Sequence, residues 1–252
     1  MKLEIYLKLL GNLFIIFMIY ILPLLFFLKT MVLERNSKLI KTLVCMAYIL
    51  LYLILPELYT NMLPFILIIF ILINWTNSQY TYEDYITYRF SLSKFKLSKG
   101  IKYVAITYGL TLIGGIIWYI IMFIFNIPIE QQEVVALLSS YDLISFVITI
   151  PFTVIFAPVV EEFAFRYLLY GKFLRKRLGG KIGFILSASI VSILFASIHF
   201  SISAFATLFI ISFFNCYLIE KKGFWYSVFT HLFVNGVSTA FLLLQKIILY
   251  LV

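Results

Sequence analysis

Long apolar segments follow one another along almost the whole chain, and this pattern limits what the chain can fold into. A helix needs about 20 apolar residues to cross a lipid bilayer. Segments of about this length predict membrane-spanning helices at Leu9–Leu28, Leu39–Leu55, Met62–Trp75, Tyr103–Phe125, Leu143–Leu169, Gly183–His199, Ile202–Ile219 and Trp225–Leu251. The third is short and could begin nearer Glu57. The sequence therefore predicts an all-α integral membrane protein with about eight transmembrane helices.

Composition supports the same class and excludes several others. The chain is 63% apolar and 12% charged, whereas soluble domains contain about 25% charged residues. No long polar stretch separates the apolar segments, so we expect residues 1–252 to form a single polytopic membrane domain. Cys45 and Cys216 stand alone without a CxxC motif, which excludes disulfide, zinc-finger and iron–sulfur frameworks. The first segment has no small-residue cleavage site before Lys29, so we expect a retained span.

Charged residues concentrate in alternate loops, and this predicts the topology. The loop Asn126–Asp142 carries Glu130, Glu133 and Asp142 and no lysine or arginine. Cytoplasmic loops are enriched in lysine and arginine, so we place this loop and both termini outside, and Lys29–Lys38 and Lys221–Lys222 inside. The net charge of +9 then reflects cytoplasmic loops, and no nucleic-acid partner is expected. Two strongly basic stretches also fall inside: Arg89, Lys94, Lys96, Lys99 and Lys102, and Lys172, Arg175, Lys176, Arg177 and Lys181.

Two of the basic loops also contain aromatic residues. Tyr82–Tyr103 and Gly171–Gly183 mix aromatic or apolar residues with lysine and arginine. This composition is typical of helices that lie on the membrane surface. Ordinary aromatic belts with lysines that reach to the interface give the same composition, so both interpretations remain open and neither loop is assigned chemistry.

Charged residues interrupt the apolar segment Leu143–Leu169. A charged side chain in a bilayer costs a few kcal/mol by insertion scales, so the adjacent Glu161 and Glu162 indicate a function. Arg166 lies four residues after Glu162 on the same helix face, which predicts an ion pair. Glu161 is rotated by about 100° and is left to face the interior and bind a proton, water or metal. Pro151 and Pro158 predict kinks, and broken membrane helices are tolerated where they line a cavity.

The two histidines of the chain also lie in apolar spans. His199 ends the sixth span, and His231 and Asn235 lie four residues apart in the last span, so their side chains point the same way. Gly236 allows another backbone to approach closely. A single histidine in an apolar segment is more often a packing residue than a ligand. Both histidines, a glutamate pair and an asparagine in neighbouring spans instead favour one site.

The residue types leave two arrangements for the chemistry. The chain has no HExxH helix, no GxSxG elbow and no cysteine close to a histidine in sequence. A desolvated glutamate can take a proton from water, while imidazole and amide groups assist and donate to a developing oxyanion. Alternatively, Glu161, His199 and His231 could hold one divalent metal such as zinc with an open water position. Either arrangement supports amide hydrolysis.

Three short motifs carry a resemblance to a known family. Glu161-Glu162-Phe-Ala-Phe-Arg166, Phe195-Ala-Ser-Ile-His199 and His231-Leu-Phe-Val-Asn235 resemble the EExxxR, FxxxH and HxxxN motifs of the CAAX protease and bacteriocin-processing (CPBP, or Abi) family. The motifs match in order and spacing, over roughly Leu143–Phe241. The resemblance implies an intramembrane active site in a bundled or conical arrangement of helices, with a catalytic core at about residues 143–241.

The same resemblance implies a role for each motif residue. Glu161 would activate water with the help of His199, while His231 and Asn235 would stabilise the oxyanion. Glu162 and Arg166 would hold the shape of the site. Members of the family are often labelled metalloproteases, and a metal-free glutamate mechanism is also argued for them, so the cofactor is either one divalent metal or none.

We therefore expect an intramembrane endopeptidase with membrane lipids and a peptide or membrane-protein substrate as its partners. Eukaryotic members of the family act on prenylated CAAX proteins, and bacterial relatives act on peptides. The Ile-, Lys- and Phe-rich composition suggests a bacterial cytoplasmic-membrane protein, which favours a membrane-associated peptide. The alternative is a non-enzymatic immunity or scaffolding protein that binds a partner peptide. An ion transporter is less favoured, since no inverted repeat is visible.

The depths of the two histidines do not agree with straight helices of the predicted lengths. His199 lies about 25 Å along its span from Gly183, whereas His231 lies about 10 Å from Phe224. Glu161 reaches the depth of His199 only if its helix continues to about Leu178. For these groups to meet, we expect the helices to tilt or the last span to begin deeper.

Overall fold

The computed structural model describes residues 2–30, 37–56, 59–75 and 88–251, and every long regular element in these residues is helical. The predicted all-α membrane class is confirmed. The α-helices are α1 Lys2–Ile15, α2 Leu22–Thr30, α3 Ser37–Ile54, α4 Met62–Trp75, α5 Leu97–Ile124, α6 Glu133–Ser140, α7 Leu143–Pro151, α8 Ala157–Glu161, α9 Gly180–Ser197, α10 Ile202–Lys221 and α11 Phe224–Leu251. Segments of π-helix join α1 to α2 at Ile16–Ile21 and α7 to α8 at Phe152–Phe156, and a third follows α8 at Glu162–Arg175.

Each of the eight predicted spans coincides with a helix, although the count of eight is approximate. Six helical stretches of the described residues are long and apolar enough to cross a membrane. The spans predicted at 39–55 and 62–75 correspond to α3 and to the shorter α4, which has 14 residues. Large apolar side chains also face outward along the long helices, and Phe123 is 84% exposed. Such a surface suits a lipid environment.

The helix Leu143–Arg175, here called the bulged helix, positions the predicted site. Asp142 caps its start, since one carboxylate oxygen accepts the N–H groups of Ile144 and Ser145, each at 3.0 Å. Hydrogen bonds from the Ser145 hydroxyl and backbone lower the pKa of Asp142. Pro158 cannot donate a backbone hydrogen bond, and the break predicted around Pro151 and Pro158 takes the form of π-helical hydrogen bonding.

An aromatic core surrounds the second half of the bulged helix. Phe163, Phe165, Tyr167 and Tyr170 are completely buried. Phe163 meets Phe26 of α2 edge to face at 5.8 Å between ring centroids, and Phe165 meets Phe195 of α9 at 5.4 Å. The bulged helix therefore lies between the N-terminal helices and the helix group α9–α11, and the site it carries is enclosed by both.

The two ends of the helix bundle differ in charge. At one end, which we call the acidic-loop end, Lys8 pairs with Glu133 at 2.5 Å, and the Lys246 ammonium donates to the Ser139 carbonyl at 2.8 Å. The first and last helices thus reach the loop 126–142, so both termini lie at the end where the charge pattern places them. At the opposite, basic end, Arg175 pairs with Glu220 at 2.9 Å. Which end faces the cytoplasm remains a prediction.

The two aromatic-basic loops are not both surface helices. The bulged helix continues to Arg175 and α9 begins at Gly180, so the segment Gly171–Gly183 is mostly the ends of two spanning helices, and its interpretation as a surface helix is wrong. In the loop Tyr82–Tyr103, residues 82–87 lie outside the described residues, as do residues 31–36 of Lys29–Lys38. The remainder runs through a 3-10 turn at Leu92–Lys94 into α5.

Candidate active site

Glu162 is completely buried and joins three helices. Its Oε1 accepts hydrogen bonds from the Asn215 amide at 3.0 Å and from His231 Nδ1 at 2.8 Å. Its Oε2 lies 3.4 Å from Arg166 Nε, so the predicted ion pair within the helix is present. The carboxylate therefore fixes the positions of side chains from α10 and α11 as well as that of Arg166.

Arg166 is also completely buried, and its nitrogen atoms make no hydrogen bond among the described residues. The guanidinium instead lies over the ring of Phe195, 4.0 Å from its centroid. A desolvated cation over an aromatic face is stabilised by about 2 kcal/mol. Phe195 opens the FxxxH segment, so this contact joins that segment to the EExxxR segment.

His231 lies between the two glutamates. Its Nδ1 donates to Glu162, because that carboxylate acts as the acceptor, and its Nε2 lies 3.6 Å from Glu161 Oε2. The ring packs edge to face against Phe195 at 5.8 Å. A hydrogen bond to one ring nitrogen fixes the orientation of an imidazole and the position of the other nitrogen. Glu162 therefore aims His231 Nε2 at Glu161.

Glu161 and His199 line the same cavity, which has a volume of about 490 Å³. The Glu161 side chain is 21% exposed, in contrast to that of Glu162. His199 follows the end of α9, and its Nδ1 donates to the Phe195 carbonyl at 2.8 Å. A neutral imidazole that donates through Nδ1 keeps Nε2 as an acceptor. At the acidic-loop end the cavity wall includes Asn12, Glu133, Val134, Leu137 and Phe200.

The Asn235 side chain is hydrogen-bonded to the backbone of the bulged helix. Its amide nitrogen donates to the Thr153 carbonyl at 3.1 Å. The preceding π-helical bond runs from the Ala157 N–H to the Phe152 carbonyl, so the Thr153 carbonyl would be paired with residue 158, which is proline and has no N–H. Asn235 supplies the donor that Pro158 lacks. An amide nitrogen carries two N–H groups, so one remains for another acceptor.

The π-helical part of the bulged helix reduces the depth difference between Glu161 and His231 that straight α-helices of the predicted lengths would give. Its last 14 residues are π-helical, and a π-helix bonds i to i+5, so each turn holds more residues and the helix rises less per residue. Glu161 therefore lies closer to the basic end than an α-helix would place it. The last span begins at Phe224, one residue before its predicted start, and the depth at which it begins stays a prediction.

The sequence motifs miss Asn215. It is completely buried in α10 and supplies one of the donors to Glu162. The sequence does contain an indication of its role, because Asn215 is the only side-chain amide in the apolar segment Ile202–Lys221. Its significance depends on the packing of α10 against the bulged helix, which the sequence does not give.

The three residues that the sequence offers as metal ligands are not grouped as a metal site requires. Among the described residues, no three histidine, cysteine, aspartate or glutamate side chains are grouped so that they could hold a metal ion. Glu161 and His231 approach each other, but His199 does not complete a set of three with them. The arrangement Glu161, His199 and His231 therefore does not fit a zinc site.

Comparison with known proteins finds a family model that matches this region. Residues 143–237 match the family model described as type II CAAX prenyl endopeptidase Rce1-like. The match contains all six motif residues and nearly coincides with the predicted core. Searches among curated proteins and among solved structures found no match. The helices and the match together support a multi-pass membrane protein and, in general terms, a CAAX-protease hydrolase. Residues 143–237 are therefore an Rce1-like region, as expected of an intramembrane protease of the CAAX protease and bacteriocin-processing family.

Proposed function

We propose that this protein is an intramembrane endopeptidase that hydrolyses peptide bonds of membrane-associated peptides or proteins. The observation that carries the proposal is the placement of Glu161. Its carboxylate lines a cavity shared with His199 and lies 3.6 Å from an imidazole that Glu162 holds in place. A base, an assisting imidazole and a fixed second imidazole are the groups that water-mediated amide hydrolysis needs.

In the proposed reaction, Glu161 accepts a proton from a water molecule while the water oxygen forms a bond to the substrate carbonyl carbon. His199 positions that water through Nε2, because its Nδ1 is used by the Phe195 carbonyl. The carbonyl oxygen becomes an oxyanion, which accepts from the second N–H of Asn235 and from Nε2 of His231 in its imidazolium form, the form in which Nε2 also carries a proton while Nδ1 donates to Glu162. The carbon–nitrogen bond then breaks, and the proton held by Glu161 passes to the leaving amine.

Glu162, Arg166 and Asn215 act as positioning residues in this scheme. Their hydrogen bonds and ion pair keep His231 Nε2 directed at Glu161. Arg166 also packs on Phe195, whose carbonyl orients His199. One buried network thus sets the orientation of both imidazoles, and we propose that it does so without a metal, because the described donors do not form a metal site.

We propose that the substrate enters the cavity from the acidic-loop end. Polar side chains line this part of the cavity, among them Asn12, Tyr20 and Asn61, and Tyr20 donates to Asn61 at 3.1 Å. Such groups suit a peptide backbone. A membrane-associated peptide in a bacterial cytoplasmic membrane is the substrate we favour. A prenylated CAAX peptide is the other candidate, on the basis of the family match.

The test uses the purified protein in liposomes with two fluorogenic peptides of one sequence. One peptide carries a farnesylated cysteine in a C-terminal CAAX motif, and the other carries an N-terminal acyl anchor. We expect the wild-type protein to cleave at least one of them and Glu161→Gln to lose about 10²–10⁴-fold in rate, the usual contribution of a general base. Glu130→Gln, the same change on an exposed loop residue, is the matched control.

Three results would contradict the proposal: no cleavage of either peptide, full activity in Glu161→Gln, or equal loss in Glu130→Gln. A biological effect that persists when Glu161→Gln and His199→Ala are combined would favour the non-enzymatic immunity or scaffolding protein. Elemental analysis with a chelator titration addresses the metal separately. Stoichiometric zinc that is lost together with activity would overturn the metal-free mechanism and leave the peptidase assignment in place.

A further inference from the structure

A second cavity, of about 470 Å³, lies at the basic end of the bundle. We call it the basic cavity. It is bounded by the start of α5 at Leu97, the end of α10 at Lys221 and the start of α11 at Phe224. Spanning helices begin and end at this level, so the cavity lies at the membrane surface. Its described lining residues are five cations and two hydroxyl side chains: Arg89, Lys94, Lys96, Lys99, Lys222, Ser91 and Tyr226.

The charge of the basic cavity is not neutralised by the described residues. None of its described lining residues is a carboxylate, and no ion pair within the described part of the chain involves its five cations. Glu220, on α10, is bound by Arg175 at 2.9 Å and by Lys221 at 3.1 Å, and it also accepts from Tyr170. A concave surface lined by one sign of charge concentrates ions of the opposite sign.

The chain around the basic cavity is held in place before any ligand arrives. Four hydrogen bonds fix segment 88–96 to segment 221–226. The backbone N–H of Phe224 donates to the Tyr88 carbonyl at 2.8 Å, and Trp225 Nε1 donates to the Phe90 carbonyl at 2.5 Å. Arg89 donates to the Lys221 carbonyl at 3.2 Å, and the Lys96 N–H donates to the Tyr226 hydroxyl at 2.9 Å. Gly223 has φ +117, and a Cβ there would meet Arg89 Cβ at 2.7 Å. A fixed site loses less entropy on binding.

The start of α5 adds a second attraction for anions. This helix has 28 residues and begins between Lys96 and Lys99, and no side chain caps its first turn. The first N–H groups of a helix lack internal partners, and they favour a bound anion such as phosphate. The uncapped N-terminus and the cation-lined cavity therefore favour the same kind of ligand.

An apolar groove of about 230 Å³ adjoins the basic cavity, and its walls include Leu92, Trp225 and Phe229. Phe95 forms the boundary between the two. Its ring packs against Tyr226, on the cavity side, at 4.9 Å and against Phe229, on the groove side, at 5.2 Å. A ligand with a charged group in the cavity can therefore place an apolar chain in the groove, which a free phosphate would leave empty.

We propose that the basic cavity binds the phosphate headgroup of an anionic membrane phospholipid, with one acyl chain in the adjacent groove. The positive-inside rule places this end at the cytoplasmic face, where anionic lipids attract basic segments. The lipid site lies apart from Glu161 and His199, so it stands whether or not the protein is a peptidase.

The experiment measures quenching of Trp225 fluorescence by lipids with brominated acyl chains in delipidated, detergent-solubilised protein. We expect phosphatidylglycerol to quench at concentrations at least about tenfold lower than phosphatidylcholine with the same chains. Each lysine near a membrane surface contributes about 1 kcal/mol, which is about a fivefold change in affinity. Combining Lys94→Gln, Lys96→Gln and Lys99→Gln should therefore weaken quenching by phosphatidylglycerol by tenfold or more. Trp225→Phe should remove the lipid-specific quenching.

The matched control combines Lys38→Gln, Lys176→Gln and Lys181→Gln, which removes the same charge from residues outside the cavity. We expect this control to bind phosphatidylglycerol as the wild type does. Equal weakening in both triple variants would show diffuse attraction and overturn the site. Equal quenching by both lipids in the wild type would also overturn it. Glycerol 3-phosphate that competes at the same concentration as the lipid would show a soluble-phosphate site and overturn the assignment to a lipid.

Discussion

A carboxylate buried in a membrane protein needs polar or charged partners, and Glu162 has them from three directions: an ion pair and two hydrogen-bond donors. Arg166 comes from its own helix, Asn215 from α10 and His231 from α11. Glu161, one residue earlier, faces a cavity and has a partly exposed side chain. The two neighbouring glutamates therefore have different environments. Glu162 lies between helices, and Glu161 faces a space that a substrate can enter.

This division predicts different results for the same substitution at the two glutamates. Glu162→Gln leaves the Arg166 guanidinium without its counter-charge in a buried environment, and removing one partner of such a pair costs about 3–5 kcal/mol. We expect thermal unfolding in detergent to show a markedly lower Tm for Glu162→Gln and a nearly unchanged Tm for Glu161→Gln. Equal loss of Tm in both variants would assign the whole pair to structure.

At the residue scale, the spacing of residues along a helix predicts contacts within that helix but not contacts between helices. The four-residue spacing of Glu162 and Arg166 is sufficient to predict their contact, because both lie on one helix face. The partners Asn215 and His231 are 53 and 69 residues away from Glu162 in sequence. Their contact depends on how α10 and α11 pack against the bulged helix, so no spacing rule could find it.

At the scale of elements, Pro158 and Asn235 form one unit. The proline leaves the Thr153 carbonyl without a backbone donor, and the side chain of the last helix replaces it. Asn235 thereby fixes α11 against the bulged helix at Thr153, about two helical turns before Glu161. The predicted role of Asn235 at an oxyanion depends on this contact, because it leaves one N–H of the amide and fixes its direction.

A double-mutant cycle tests this pairing. Asn235→Ala leaves the part-buried Thr153 carbonyl without this donor, which costs at most about 1–3 kcal/mol, the penalty for a fully buried group. Pro158→Ala restores the N–H of residue 158, which in the π-helical register bonds to the carbonyl five residues earlier, that of Thr153. We expect Asn235→Ala to lower the free energy of unfolding by less in the Pro158→Ala background than in the wild type. Additive effects of the two substitutions would show that the contact carries no such compensation.

The sequence predicts where helices exist better than where they end. The predicted spans stop at the first charged residues, for example at Leu169 and Tyr103, whereas the helices continue to Arg175 and begin at Leu97. Backbone hydrogen bonding does not stop at the edge of the apolar layer, and lysine and arginine can reach from a helix end to the interface. The π-helical register of Glu162–Arg175 is set by packing and leaves no comparable pattern in the sequence.

At the scale of the whole molecule, the two cavities lie at opposite ends. The cavity with Glu161 is lined by α1 and α6 at the acidic-loop end, and the basic cavity lies where α5 and α11 begin. Loop charges alone predicted the common location of both termini with the loop 126–142. Contacts of Lys8 with Glu133 and of Lys246 with Ser139 agree with it.

Cysteine labelling in intact bacterial cells can determine which end of the helix bundle faces the cytoplasm. In a background with Cys45→Ser and Cys216→Ala, we expect a membrane-impermeant maleimide to label Gln131→Cys in the acidic loop and Asn12→Cys in the cavity. Lys176→Cys at the basic end should react only after the cells are opened, because the positive-inside rule places it in the cytoplasm. The reverse pattern would invert the topology and place the Glu161 cavity on the cytoplasmic side.

The buried Arg166 also has a consequence for how the protein is made. Inserted alone, a helix pays about 2.5–3.5 kcal/mol for a charged residue at its centre, and the bulged helix carries Glu161, Glu162 and Arg166. The groups that compensate these charges, Phe195, Asn215 and His231, belong to helices that the ribosome completes later. The bulged helix therefore reaches its final stability only when the last three helices have joined it, so membrane integration and assembly of the site are completed together.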